Sequence, residues 1–363
     1  VGRSYPPEFY SWIKVPHVRS LFEKIAIETE EDYQGIIRLL EKFGVEVLRP
    51  DLIEPTFADG KFLSPPMTPR DYTAMIGNTF YNNYGFNWKD FYSKVKDPQW
   101  PECKNLDDFY KLPEFITREC IELHQLDLWA PKQNNYSSIL NRIASNGNKI
   151  VSHLDSLING AMVSRIGRDL YFGTESYNQD TTSIQILIDQ EFANTRNHVV
   201  NTGGHGDGTY CPVAPGLIIS LQDIPTYEKT FPGWEVVYLP GQSWTAVKPF
   251  LDLKGKNHGR WWIPGFEYDT DVVDVVESWL GHWTGYVEET VFDVNMLIID
   301  PKNVAVFNYN RQVFDALERH GITPHIVPFR HRYFWDGGIH CVTSDLHRDG
   351  IMQDFFPERG HVR

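Results

Sequence analysis

Near the end of the chain, two glycines and a histidine deliver one cysteine into the run Asp336-Gly337-Gly338-Ile339-His340-Cys341-Val342-Thr343-Ser344-Asp345. A thiolate attacks an electrophilic carbon far better than a hydroxyl does at neutral pH, provided that positive charge or a base lowers its pKa. Cys341 is therefore the candidate nucleophile, set against the bland reading of one more buried thiol. A base stands in Thr202-Gly203-Gly204-His205-Gly206-Asp207-Gly208-Thr209, where His205 and Asp207 are two apart and point the same way if the backbone is extended. His205 could move protons while Asp207 grips a cation. The pair could also ligate a metal, but no third ligand stands at helical or hairpin spacing, so metal is the weaker reading. His153-Leu154-Asp155 has the same spacing, and local pattern alone does not choose between the two.

These residues must be positioned by a repeating scaffold. An amphipathic stretch from Glu30 to Phe43 ends at Gly44 and runs into the strand-like Val45 to Pro50. The pattern returns as Tyr227 to Lys229, Gly233 and Trp234 to Pro240, and again as Val313 to His320, Gly321 and Ile322 to Pro328. Glycine just past a helix is a left-handed cap signal, and the apolar run after it reads as a strand. A copy without glycine is Ser183 to Arg196 followed by His198-Val199-Val200. Between the copies lie apolar pairs such as Leu217 to Ser220 and Asn295 to Val306, the latter turning at Asp300-Pro301-Lys302-Asn303. The unit reads as two strands, a helix and a strand, repeated around a centre. Stretches near 81–133 and 254–283 break the rhythm and read as insertions, with tryptophans expected in the core or at an interface.

Composition bounds the rest. With 363 residues, 41% hydrophobic, the chain can bury a large core in one or two domains. A formal charge of −14 argues against a nucleic-acid partner and permits a cationic substrate. The four cysteines form neither a CxxC pair nor a disulfide framework, so reduced thiols and a cytoplasmic setting are expected. No apolar run approaches the roughly 20 residues of a membrane span. The abrupt start at Val1-Gly2-Arg3, as if inside a strand, raises the expectation of a preceding segment.

In motif order the chain resembles the arginine:glycine and arginine:inosamine-phosphate amidinotransferases, a branch of the guanidine-modifying penteins. Pro69-Arg70-Asp71 and Gly77-Asn78 look like the family's Pro-Arg-Asp segment. Arg165-Ile166-Gly167-Arg168-Asp169 is similar to its Arg-x-Gly-Arg-Asp hairpin, and His205-x-Asp207 to its His-x-Asp segment. Val294 to Leu297 resembles a further strand, and Gly337 to Thr343 the nucleophile motif. The resemblance implies a single α/β domain over 1–363, a five-bladed propeller of ββαβ units. It also implies a cofactor-free ping-pong reaction of small molecules, a guanidino donor and an amine acceptor. Asp71 and Asp207 would hold the guanidinium, Cys341 would attack its central carbon, and His205 would protonate the departing amine and later deprotonate the acceptor. Arg165 and Asp169 are carried over as substrate-binding, and pairing of two copies is the expectation from the fold.

The chain also departs from the pattern. Where the family has Phe-Asp-Ala-Ala-Asp, with its first aspartate in the catalytic set, this chain has Ile158-Asn159-Gly160-Ala161-Met162. Asn159 keeps the shape of that acid and loses its charge, which suits reduced activity, altered chemistry or an inactivating change. The family's carboxylate-anchoring arginine aligns with Ile224, and Glu288-Glu289 stands near a substrate-binding serine. With Glu289 as a substrate-binding group, an amine such as a polyamine is the expected acceptor. A guanidine hydrolase and a silent guanidine- or amine-binding pentein are the alternatives.

Overall fold

The structure is a computed structural model. It describes residues 1–53, 57–58, 61–62, 64–82, 135–151, 158–174, 179–224, 226–239, 261–266, 268–281, 283, 291–335, 337–350 and 352–360. A short hairpin of β1 (Phe57–Ala58) and β2 (Lys61–Phe62) precedes four three-stranded sheets built on one plan. The first holds β3 (Thr73–Ile76), β4 (Thr79–Asn82) and β5 (Lys149–Val151); the second holds β6 (Val163–Ile166), β7 (Asp169–Gly173) and β8 (Arg196–Val200). The third holds β9 (Tyr210–Ala214), β10 (Leu217–Ser220) and β11 (Glu235–Tyr238); the fourth holds β12 (Leu297–Asp300), β13 (Asn303–Val306) and β14 (Thr323–Ile326). In each sheet the middle strand pairs antiparallel with the strand before it and parallel with the strand after it. The parallel pair needs a crossover, which the helix supplies. In the second and fourth sheets these helices are Thr181–Glu191 and Arg311–Arg319.

The glycines read from the sequence close helices in one defined way. At Gly321 (φ 69°) the Gly321 N–H donates to Glu318 O and the Ile322 N–H to Leu317 O, both at 2.9 Å. That is the Schellman closure, which needs a left-handed residue at its centre. Gly44 repeats it on Glu41 and Leu40, and Gly147, absent from the sequence repeat, repeats it on Ala144 and Ile143. Gly233 departs: its helix is the single turn Tyr227–Thr230, too short for that closure.

A fifth unit comes from the two ends of the chain. The Gly2 N–H donates to Val342 O at 2.8 Å and Val1 N donates to Leu48 O at 2.9 Å, so residues 1–3 lie between the Cys341 segment and residues 45–50. Arg49 clamps the join by donating to Gly2 O and to Glu30. The expected strand Val45 to Pro50 is thus extended chain with a short pairing. The expected helix at Glu30 to Phe43 is longer, Pro16–Lys42: Val18, Leu21, Phe22, Ile25, Ala26 and Thr29 carry its buried stripe well before Glu30. Proline fits its first turn, where no N–H is needed. With this unit the architecture is a five-bladed α/β propeller. Trp261, Trp262 and Trp283 are buried, Trp261 and Trp283 in the largest apolar cluster, as expected of core tryptophans. Residues 83–134, which hold nearly all of the first insertion, and 240–260, which hold the start of the second, lie outside the described residues. No described helix is long and apolar enough to cross a membrane.

Candidate active site

Five polar side chains stand just ahead of the innermost strand of the five units: Asp71 before β3, Asn159 before β6, Asp207 before β9, Asn295 before β12, and Cys341 beside Val342. The antiparallel hairpin puts that strand on the inner edge of each sheet, so the chain entering it arrives near the axis. Repetition of the unit therefore brings residues more than 100 positions apart into one place.

The cysteine segment is pinned from both sides. Ile339 and Val342 are buried in the core and flank the exposed face of the turn. Arg70 Nε donates to His340 O at 2.7 Å and Thr343 O at 2.8 Å, and the Arg70 N–H donates to Cys341 O at 3.3 Å. Asn295 faces it. Its Oδ1 accepts the N–H groups of His340 (2.9 Å) and Cys341 (3.2 Å), and its Nδ2 donates to Cys341 Sγ (3.1 Å) and Asp207 O (3.2 Å). A Cβ on Gly338 would lie 2.1 Å from Asn295 Oδ1, so the second glycine of the motif admits this contact. The sequence reading gave Asn295 no role. Its signal was its place in the repeat, a polar residue two positions ahead of an inner strand.

Two carboxylates flank the thiol. Asp207 Oδ2 accepts from His340 Nδ1 at 2.8 Å and from Cys341 Sγ at 3.5 Å. Asp71 Oδ1 lies 3.8 Å from His205 Nδ1. Asp71 Oδ1 and Asp207 Oδ1 are both buried without a hydrogen-bond partner. Orphaned buried acceptors are costly, and a site that keeps two of them on carboxylates fits a cation with several N–H donors. Burial raises the Cys341 thiol well above its ordinary value, and the charges of Asp207 and Asp71 add to this, against hydrogen bonds from the Gly338 backbone and the Asn295 side chain. The balance favours the thiol over the thiolate.

The two acids differ. Burial pushes the Asp71 carboxyl from 3.8 to about 6, opposed by His205 and reinforced by Asp207. Burial also acts against the charge of Asp207, yet the hydrogen bond and charge of His340 hold it below its ordinary value. Burial and the charge of Arg70 lower His340, against the hydrogen bond and charge of Asp207, which raise it. Below about pH 6, Asp71 takes up a proton and offers no countercharge. Guanidinium binding, followed by calorimetry with agmatine, should therefore weaken about tenfold for each pH unit below that point. A flat affinity between about pH 7 and 5 would refute the role of Asp71.

The other expected residues are placed as follows. Asn159 is buried beside the Asp71 turn, since Gly160 N donates to Arg70 O and Thr73 O; its own Oδ1 accepts from Ala161 N and Met162 N, both at 3.0 Å. Arg165 bonds Asp345 at 2.9 Å and Met75 O, away from the thiol's contacts. Asp169 is not brought to the thiol. It is fully buried and bound by Arg196 (2.6 Å), Arg359 (2.7 Å) and His198 (2.7 Å), a clamp that holds residues 352–360 onto β7 and β8. Ile224 packs in the core. Glu288, Glu289, His153 and Asp155 lie outside the described residues.

No family model matches the sequence. The chain is similar to the mitochondrial glycine amidinotransferase of Xenopus laevis, 22% identical over 378 residues, which cover 98% of this chain and 74% of the relative. The Gallus gallus protein of the same name is 24% identical over the same shares. The L-arginine:L-lysine amidinotransferase of Pseudomonas savastanoi pv. phaseolicola is 21% identical over 217 residues, 58% of this chain and 50% of that one. Two solved structures superpose with TM-scores of 0.58 at 17% identity over 92% of this chain. They are SxtG, an amidinotransferase of Microseira wollei, and the inosamine-phosphate amidinotransferase StrB1 of Streptomyces griseus, covered to 87% and 84%. The chain has the fold of these amidinotransferase structures, with a thiol between two carboxylates in its site, and it is similar in sequence to amidinotransferases over nearly its whole length.

Proposed function

We propose that the protein transfers an amidino group from a guanidino donor to an amine through Cys341. The pair of unpartnered carboxylate oxygens, Asp71 Oδ1 and Asp207 Oδ1, beside the Cys341 thiol carries this reading. A guanidinium is planar, keeps its charge at every relevant pH and presents five N–H donors when monosubstituted, which suits two unpartnered carboxylate oxygens. Its charge offsets the two carboxylates that favour the protonated thiol, so donor binding promotes transfer of the thiol proton to His205. The Cys341 sulfur then bonds to the guanidinium carbon, the C–N bond to the donor amine breaks, and that amine leaves with a proton from His205. An amidino-thioether remains. In the second half, the acceptor amine gives a proton to His205, attacks the same carbon and releases the thiolate. Exclusion of water from the intermediate distinguishes this from hydrolysis.

The names of the relatives support arginine as donor and an amine as acceptor. Ile224 in place of the family's arginine supports a donor held without that carboxylate anchor, and Glu289 supports a cationic acceptor. Incubation with arginine, canavanine or agmatine should give an intact-protein mass gain of one amidino group, absent in Cys341→Ala. Asn159 already gives its side-chain oxygen to two backbone N–H groups, so Asn159→Asp keeps the turn and adds a negative charge beside the site. That variant should form the adduct at least as fast as the original protein. Adduct in Asn159→Asp alone would identify the asparagine as a silencing change. Adduct in neither variant nor original would refute transfer from these donors, and a urea-type product without a new guanidine would identify a hydrolase.

A further inference from the structure

The inner strands enclose a second space, a cavity of 380 Å³ whose wall includes Arg70, Arg165, Arg348, Asp345, His340 and Asp207. Cys341, Asp71 and His205 are not among its wall residues, so the His340–Asp207 pair stands between it and the thiol. Its volume falls in the range of small-ligand sites. The wall is unusual in charge. Three guanidinium groups meet there, and Asp345 takes only Nη2 of each, at 3.4 Å from Arg70 and 2.9 Å from Arg165 and Arg348. The other carboxylate, Asp207, already accepts from His340. Arg348 and Arg165 are further tied to the carbonyls of Ile298, Ile299 and Met75, which fixes their planes. Arg70 is 3% exposed, yet among the described residues its Nη1 meets no acceptor.

Three guanidinium groups, two of them tied to backbone carbonyls, share one carboxylate on this wall, and among the described residues Arg70 keeps a nitrogen without an acceptor. We propose that this cavity binds a small oxyanion, a carboxylate or a phosphate, on Arg70, Arg165 and Arg348. Forked oxygens match guanidinium geometry, and apolar wall residues such as Val163 and Met296 leave room for a short carbon stem. The consequence reaches the thiol through one side chain. Arg70 Nε holds the carbonyls of His340 and Thr343, so an anion that draws on Arg70 Nη1 fixes the arginine that pins the nucleophile segment.

Calorimetric titration of the full chain with inorganic phosphate and with acetate, at constant ionic strength in chloride, tests this. One saturable site is expected for at least one anion, and the anion that saturates it identifies the class. The site should persist after Cys341 is capped with iodoacetamide and weaken at least about tenfold in Arg348→Gln, the loss of one charge-assisted contact. No saturable binding, loss on capping, or equal binding in folded Arg348→Gln would each overturn the proposal. If Arg348→Gln does not fold, crystals of the unmodified protein grown in selenate decide. An anomalous peak within hydrogen-bonding reach of the three arginines supports the site, and its absence there overturns it.

Discussion

Asp207→Asn should slow formation of the Cys341 adduct from a guanidino donor by about a hundred- to a thousandfold, the usual cost of removing a charge-complementary group that faces the reacting atoms. The same change should make Cys341 more reactive toward iodoacetamide at about pH 8. The sign follows from position. Asp207 Oδ2 lies 3.5 Å from Sγ, and its charge, after burial, helps to hold the thiol above its ordinary pKa. Neutralising it leaves more thiolate at a given pH, while the guanidinium loses one of its two carboxylates. A neutral alkylating reagent reads only the first effect and the donor reads both. Alkylation and transfer therefore move in opposite directions. A parallel fall in both would mean that Asp207 acts mainly by supporting the segment through its contact with His340, and would sink the assignment of a guanidinium contact.

Much of this arrangement was legible from residue types and spacing, for physical reasons that differ between residues. Gly44 and Gly321 marked helix ends because only a left-handed residue completes the Schellman closure, which is local and therefore visible in sequence. Gly147 performs the same closure but follows Asn146 in a short helix, Ser137–Ser145, whose register with the other copies is hidden by the insertion before it. The fifth unit was harder to see, since it is made of extended chain at residues 1–3 and 45–50 with the segment at Val342. Long-range closure leaves no periodic trace. In the site, Cys341, His205, Asp207 and Asp71 were found by chemistry and motif order. Asp169 was carried over with its hairpin, although two arginines and a histidine bury it as a structural anion. Asn295 was missed because an amide has no titratable signature; its importance lies in four hydrogen bonds to the cysteine segment and Asp207, made by partners distant in sequence.

Substitution of Asn295 separates its two duties. In Asn295→Ala, the N–H groups of His340 and Cys341 both lose their acceptor, and the thiol loses its amide donor. Each buried N–H left unsatisfied costs about 1–3 kcal/mol, so urea unfolding should show a loss of about 2–4 kcal/mol after partial rescue by water. The Asn295 donor is among the groups that lower the Cys341 pKa, so its removal should move the iodoacetamide pH profile upward. Asn295→Asp retains an oxygen for the two N–H groups, and most of the stability should return. The new carboxylate, however, replaces the 3.1 Å donor to Sγ and joins Asp71 and Asp207 around the thiol. Its pH profile should shift further upward than that of the alanine variant, although the protein is the more stable of the two. Stability and thiol acidity thus change in opposite order across the pair. If both properties instead followed stability alone, Asn295 would be a structural pin and the thiolate would depend on other groups. Under the proposed transfer through Cys341 the contrast also bears on turnover, because a thiolate would form in the first half-reaction and depart in the second. The amide would then serve both steps as one donor, steadying the released sulfur without adding charge to a site that already holds two carboxylates.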